Sequence, residues 1–148
     1  MDRLDVENYL HAHIPLSRAM AVEVQTALPT CVRLSAPLAP NINHRATAFG
    51  GSACALAILA AWTLLYVRLE SDKIAARVVI QKNTMYYEVP ITDAFVAEAT
   101  ANQPEVWARF IATLQRRKRA RIAVNVILRC KDEKVGALEG DFVAIANG

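Results

Sequence analysis

Residues 40–69 read PNINHRATAFGGSACALAILAAWTLLYVRL, and the nature of this stretch decides the fold. A polar loop carrying Asn41, Asn43 and His44 passes through Thr47 and Phe49 into the pair Gly50–Gly51. From Gly51 to Leu69 there is no acidic residue, and only Ser52, Thr63 and Arg68 interrupt a segment that is apolar on every side. A helix hydrophobic all round is either a membrane span or the buried centre of a domain folded around it.

Length and surroundings favour the second. A span takes roughly 20 apolar residues to cross a ~30 Å hydrocarbon core, whereas Ser52–Val67 makes a helix of roughly 24 Å at 1.5 Å per residue. The stretch is rich in Ala, which contributes little to insertion, and no second hydrophobic run follows. The 54% hydrophobic content and mean hydropathy of +0.20 therefore read as a large core around a buried helix, with no membrane partner expected.

Working outward, Leu4, Val6, Tyr9 and Leu10 predict an N-terminal helix over 2–13, ended by Pro15. Met20, Val22, Val24, Thr26 and Leu28 alternate with Glu23 and Gln25, and Val32 and Leu34 alternate with Arg33 and Ser35. That is the period of two strands with one buried face, joined as a hairpin at Pro29–Thr30. Downstream, Glu70–Ser71–Asp72 ends the central helix and 75–87 is a long strand apolar on both faces. One face is expected on the central helix, and the strand is also expected at an interface between copies. Pro90 marks a turn, 95–100 a strand, and Pro104 the first position of a short helix carrying Trp107, Phe110, Ile111 and Leu114. The basic run Arg116–Arg117–Lys118–Arg119, with Arg121, precedes a strand over 122–130. Residues 131–134 read as a turn, and 135–146 as a last strand interrupted at Gly140.

A single helix hides apolar surface on all sides only if a sheet curls around it, as long antiparallel strands do through their twist. The expected fold is therefore one α+β domain over 1–148 of the hotdog kind, a curled antiparallel sheet wrapped around a long central hydrophobic helix. A chain of 148 residues buries such a core without disulfides. Its three cysteines, Cys31, Cys54 and Cys130, are widely spaced and read as reduced thiols of a cytoplasmic protein. The opening residues MDRLDVENYL have no cationic segment leading into an apolar one, so no secretory leader is expected. His11 and His13 stand two apart and face different sides of a helix, so no metal site is expected, nor any cofactor. The net charge of +3 is mild.

The run PLAPNIN…TAFGGS followed by an Ala/Leu-rich helix with a Trp resembles the hotdog-fold thioesterase-like domains of the YiiD C-terminal type, some of which sit behind GNAT acetyltransferase domains. Later landmarks agree in order: Tyr87 and Pro90 before Asp93, then TLQRRKRARIAVNV, then GDFVAIA. The resemblance covers nearly the whole chain. It implies thioesters of coenzyme A or acyl carrier protein as substrates, and a homodimer or higher assembly with sites between subunits. Wider hotdog thioesterases carry an Asn or Gln, a His-Gly-Gly turn and an acid on the helix. Here Asn43 takes the amide position and Phe49–Gly50–Gly51 the turn, with Phe for His. Ile58 occupies the acid position, so the usual carboxylate is missing.

The residues themselves allow such chemistry. Unpaired N–H groups at a helix N-terminus hold an oxyanion at the positive end of the dipole, and Gly50 and Gly51 let a thioester oxygen approach; the same pair also simply permits a tight turn. Asn43 can orient water or carbonyl but cannot take a proton; building its own loop is the other habit of Asn. His44 is then the base of this loop, with Glu88 or Asp93 next in line. Phe49, Ser52 and Asn83, the last from a partner's long strand, complete the expected substrate contacts. Cys54 reads as a small core residue rather than a nucleophile. Arg116, Arg117, Lys118 and Arg119 form an ordinary solvated face that also suits the phosphates of coenzyme A. The sequence thus points to a thioesterase, with a non-catalytic acyl-thioester-binding module as the alternative. Nucleic-acid binding by the basic run is disfavoured, because no aromatic residues are interleaved with it for stacking.

Overall fold

The computed structural model describes residues 1–147. Helix α1 (Arg3–His13) starts on a capping box in which the Asp2 and Asp5 side chains satisfy each other's backbone N–H. Pro15 ends α1, as expected, but also opens a second short helix, α2 (Pro15–Ala19), that the sequence reading lacks. Its missing N–H costs nothing at a first helical position. Strands β1 (Glu23–Leu28) and β2 (Cys31–Ala36) form the hairpin, with a bulge between Val24 and Thr26 that breaks the alternation of β1.

Helix α3 (Gly50–Ser71) is the central element, ended where Lys73 turns left-handed (φ 57°). It is long and apolar enough to cross a membrane, but it touches all six strands of the sheet instead. Leu56, Ala57, Ala60, Ala61, Leu64 and Leu65 are buried against that sheet. Burying one such leucine contributes about 1.5–3 kcal/mol, which is why the curl is stable.

The strands β3 (Ala76–Tyr87), β4 (Phe95–Thr100), β5 (Arg119–Cys130) and β6 (Glu133–Ala146) complete a six-stranded antiparallel sheet in the order β1-β2-β4-β5-β6-β3. This is the expected hotdog arrangement. The last strand is not interrupted: β6 runs through Gly140, where an added Cβ would lie 2.9 Å from the ring of the fully buried Phe142. That glycine makes room for a ring and does not break the strand. The turn into β6 is also tighter than 131–134, since Lys131 and Asp132 alone take positive φ (52° and 63°), as a two-residue hairpin requires.

Helix α4 (Pro104–Arg117) stops at Lys118, in the left-handed region (φ 64°), so β5 begins at Arg119 and not at Ile122. Its Trp107 indole donates to Asp72 Oδ2 at 2.8 Å while the Arg68 guanidinium stacks 4.1 Å over the ring. This closes the C-terminal end of α3. β3 pairs only with β6 and is an edge strand; its Val78 and Ile80 are half-buried, and Gln81–Thr84 are exposed.

Candidate active site at the start of the central helix

The loop before α3 is built by its own asparagines. Asn41, 2% exposed, donates through Nδ2 to the carbonyls of Met20 (3.0 Å) and Pro37 (2.8 Å), and its own carbonyl receives the Phe49 N–H at 2.7 Å. Asn43 donates to Thr47 Oγ1 (2.8 Å) and the Ala48 carbonyl (3.3 Å), and its Oδ1 accepts from the N–H groups of Arg45 (2.8 Å) and Thr47 (3.2 Å). Every hydrogen of its amide is thus turned inward on residues 43–48. His44 and Arg45 stand exposed at the tip, followed by Ala46 at φ 62°. Ala48 N–H bonds the Ile91 carbonyl at 2.9 Å, fixing where the chain enters the helix.

Phe49 is the residue at which α3 begins, and its side chain caps nothing. The first intrahelical bond is Ala53 N–H to the Phe49 carbonyl. Among the described residues, therefore, the N–H groups of Gly50, Gly51 and Ser52 have no protein acceptor. They point out of the helix start at the positive end of its dipole. The two glycines differ. A Cβ on Gly51 would lie 2.4 Å from Cε2 of Phe49, whose ring lies against it, whereas a Cβ on Gly50 would meet Tyr87 at an ordinary 3.4 Å.

Tyr87, from the end of β3, donates its hydroxyl to the Gly50 carbonyl at 2.9 Å. Four residues earlier, Asn83 accepts a long contact from the Cys54 thiol, 3.8 Å. Asn83 thus reaches the helix start within a single chain. Burial pushes the Cys54 thiol above its usual range, and burial, then the neighbouring Cys54, raises Tyr87. Cys54 is accordingly a protonated thiol at neutral pH and a poor nucleophile. Beside this cluster a cavity of about 330 Å³ is lined by Gly50, Ala53, Tyr87 and Glu88, among others. Among the described residues Glu88 is its only carboxylate; it also pairs with Lys134 at 3.3 Å. Asp93 is exposed and accepts from Ala94 N–H. Ile58 lies two turns into α3, half-buried.

The basic run is not brought to this place within one chain. Arg116 and Arg117 end α4, Lys118 is the turn, and Arg119 opens β5 opposite Ile145, while Tyr87 aligns through Gly136 with Leu128. Nine residues of strand separate the two ends, about 30 Å at ~3.4 Å per residue. No group of three or more His, Cys, Asp or Glu side chains suited to a metal forms among the described residues. His11 Nε2 donates to the Val22 carbonyl and His13 Nδ1 to that of Tyr9. Tyr87 and Asn41 are the residues that sequence reasoning gave no role at the site. The partner of Tyr87 lies 37 positions away, and Asn41 joins a local partner, Pro37, to one 21 positions away, Met20.

A protein of unknown function from Chlorobaculum tepidum TLS superposes with a TM-score of 0.92 at 26% identity, over 98% of this chain and 94% of its own. A structure described as "putative thioesterase" from Shewanella oneidensis gives 0.86 at 24% identity, over 97% and 96%. A thioesterase from Haemophilus influenzae gives 0.73 at 14% identity, over 95% and 90%, which shows the fold alone. Residues 3–146 match the model of the family described as "Putative thioesterase (yiiD_Cterm)", and the chain belongs to that family.

Proposed function

We propose that the protein hydrolyses acyl thioesters of coenzyme A or acyl carrier protein, with the carbonyl oxygen held by the free N–H groups of Gly50 and Gly51. The supporting observation is the uncapped start of α3, which leaves these donors unpaired beside an open cavity. Such donors act without reorganising as charge develops on oxygen. Tyr87 steadies the Gly50–Gly51 peptide from its carbonyl side. Water attacks from the cavity, activated by Glu88, which lines it; His44, exposed at the loop tip, is the second candidate base.

The working unit is a homodimer paired through the free edge of β3, whose exposed Val79 (52%), Tyr86 and Tyr87 (60%) suit an interface. Antiparallel pairing of that edge sets the start of a partner's strand beside the end of this one. The basic run of the second copy thereby approaches the helix start and is available to the phosphates of the carrier.

The test is a hydrolysis screen over acyl-CoAs and acyl carrier proteins, read by thiol release, together with light scattering at micromolar concentration. Turnover that Glu88→Gln abolishes and His44→Ala spares supports the reading; the reverse pattern moves the base to the loop. Binding with no turnover of any thioester overturns hydrolysis and favours a non-catalytic acyl-thioester-binding module.

A further inference from the structure

We propose that the first half of β5 takes an extended acidic segment of a partner protein as an added strand, in the groove between β5 and α4. A strand edge with unpaired N–H and C=O groups is a ready template for another chain. At β1, helix α1 satisfies them: Arg3 donates to the Val24 carbonyl at 3.3 Å, Glu7 accepts from Val24 N–H at 2.8 Å, and His11 bonds the Val22 carbonyl at 2.8 Å. The edge of β3 is the one assigned above to a second copy. A third edge lies inside the sheet. β4 pairs with β5 only from Val126 to Cys130, so residues 119–125 have β6 on one side and no strand on the other.

One contact fixes the direction of the free groups. Asn102, in the loop that follows β4, donates through Nδ2 to the Ala123 carbonyl at 2.8 Å. In an antiparallel strand the N–H and C=O of one residue point the same way, and those of the next residue the opposite way. Arg119, Arg121 and Ala123 therefore turn their backbone groups to the groove, while Ala120, Ile122 and Val124 turn theirs to β6. Among the described residues, the N–H of Ala123 and both backbone groups of Arg121 have no protein partner.

The groove beside them has a volume of about 330 Å³, and no carboxylate lines it among the described residues. Val106 and Phe110 of α4, with Ile122 of β5, make an apolar wall, while Arg109 and Thr113 stand one turn apart along α4. Arg109 and Arg119 are exposed and make no ion pair among the described residues. The Arg121 head reaches the other way, across β6, to Gln81 Oε1 at 3.3 Å. Residues 119–123 offer about 17 Å of edge at ~3.4 Å each. A strand laid there sets alternate side chains beside the outward Arg119 and against the apolar wall. Acidic residues at every second position, with Val-like residues between them, match that alternation. The acid belongs at the Arg119 end, since Ala123 stands opposite Asp141 of β6. A peptide uses both the N–H and the C=O of Arg121, whereas a phosphate would be left facing that carbonyl.

The probe is a fluorescein-labelled peptide, Gly-Glu-Val-Glu-Val-Gly, titrated with the full chain and read by polarisation. Its control, Gly-Glu-Glu-Val-Val-Gly, has the same composition and charge with the alternation broken. The alternating peptide should bind at least about ten-fold more tightly, because the control turns a carboxylate onto the apolar wall. Arg109→Glu with Arg119→Glu, both at exposed positions, should weaken binding about ten-fold or more. Ala123→Pro removes one edge N–H and no charge, and should weaken it by about 3- to 10-fold. In the parent, amide exchange at Arg121 and Ala123 should slow by about ten-fold at nine-tenths occupancy. That readout needs no variant to fold, and it separates strand addition from charge attraction. Equal binding of the two peptides, binding that leaves both amides exchanging freely, or no binding up to about 1 mM overturns the proposal. So does displacement by coenzyme A or a single-stranded oligonucleotide at equal concentration, which would assign the groove to phosphates.

Discussion

Replacing Gly50 by alanine separates what the fold needs at the helix start from what the chemistry needs. The new Cβ would stand 3.4 Å from Cε1 and Oη of Tyr87 and 3.5 Å from its Cζ, ordinary contact distances. Gly50 does not have the positive φ that favours glycine. The unfolded chain loses freedom, so the variant should gain about 0.4–1 kcal/mol, a melting temperature higher by roughly 1–4 °C for a domain of this size. The methyl group would nevertheless occupy the space through which a carbonyl oxygen reaches the free N–H groups. Displacing a reacting atom by about 1 Å commonly costs 10²-fold, close to the loss of one oxyanion donor. Thermal scans and thiol-release kinetics on the same preparation should therefore diverge, with stability preserved and kcat/KM down about 10²-fold. A melting temperature lowered by several degrees would make the glycine structural. A kcat/KM within a few-fold of the parent would place the oxyanion elsewhere.

Tyr87→Phe removes one hydrogen bond from a residue that is 60% exposed, so stability should fall by no more than about 1 kcal/mol; kcat should drop about ten-fold with KM little changed if the Gly50–Gly51 peptide is held for catalysis. Asn43→Ala breaks four bonds inside its loop and should lower stability by about 2 kcal/mol and activity together; loss of activity with an unchanged melting curve would instead give Asn43 a chemical part. Burial raises Cys31, Cys54, Tyr66 and Tyr87 above ordinary values of 9.0 for cysteine and 10.0 for tyrosine. The folded chain keeps protons there that the unfolded chain gives up, so stability should be full below pH 9 and decline as pH rises past it. Urea midpoints that hold steady from pH 8 to 10.5 would contradict this.

The fold was legible because α3 is apolar on all sides and the strands alternate, a combination that only a curled sheet satisfies. What escaped notice depended on contacts across the chain. Pro15 reads as a stop, and only the packing of Ser17 and Met20 shows that it is also a start. Gly140 reads as a break until the Phe142 ring is seen beside it. At the site, the Gly50–Gly51 pair was visible but its members were not distinguishable, since one is explained by the Phe49 ring and the other is not. For Asn43 both loop-building and chemistry were open, and its hydrogen bonds all run within the loop. The basic run was plain as charge, but its distance from Gly50 is a property of the sheet register alone.

The pairing of β3 with β6 has a consequence for biosynthesis. Ala76 finds its partner at Ala146, and β5 and β6 also follow α3 by a long interval. At a synthesis rate of ≈5–20 residues per second, the ~75 residues from the end of α3 to the end of β6 take about 4–15 s to appear. For most of that time the most hydrophobic helix of the molecule has only β1, β2 and, once it is made, β4 to shield it, since β5 and β6 come last and β3 pairs only with β6. The nascent chain should thus present a long-lived client for holdase chaperones, and truncations that stop before β5 should aggregate as they are made.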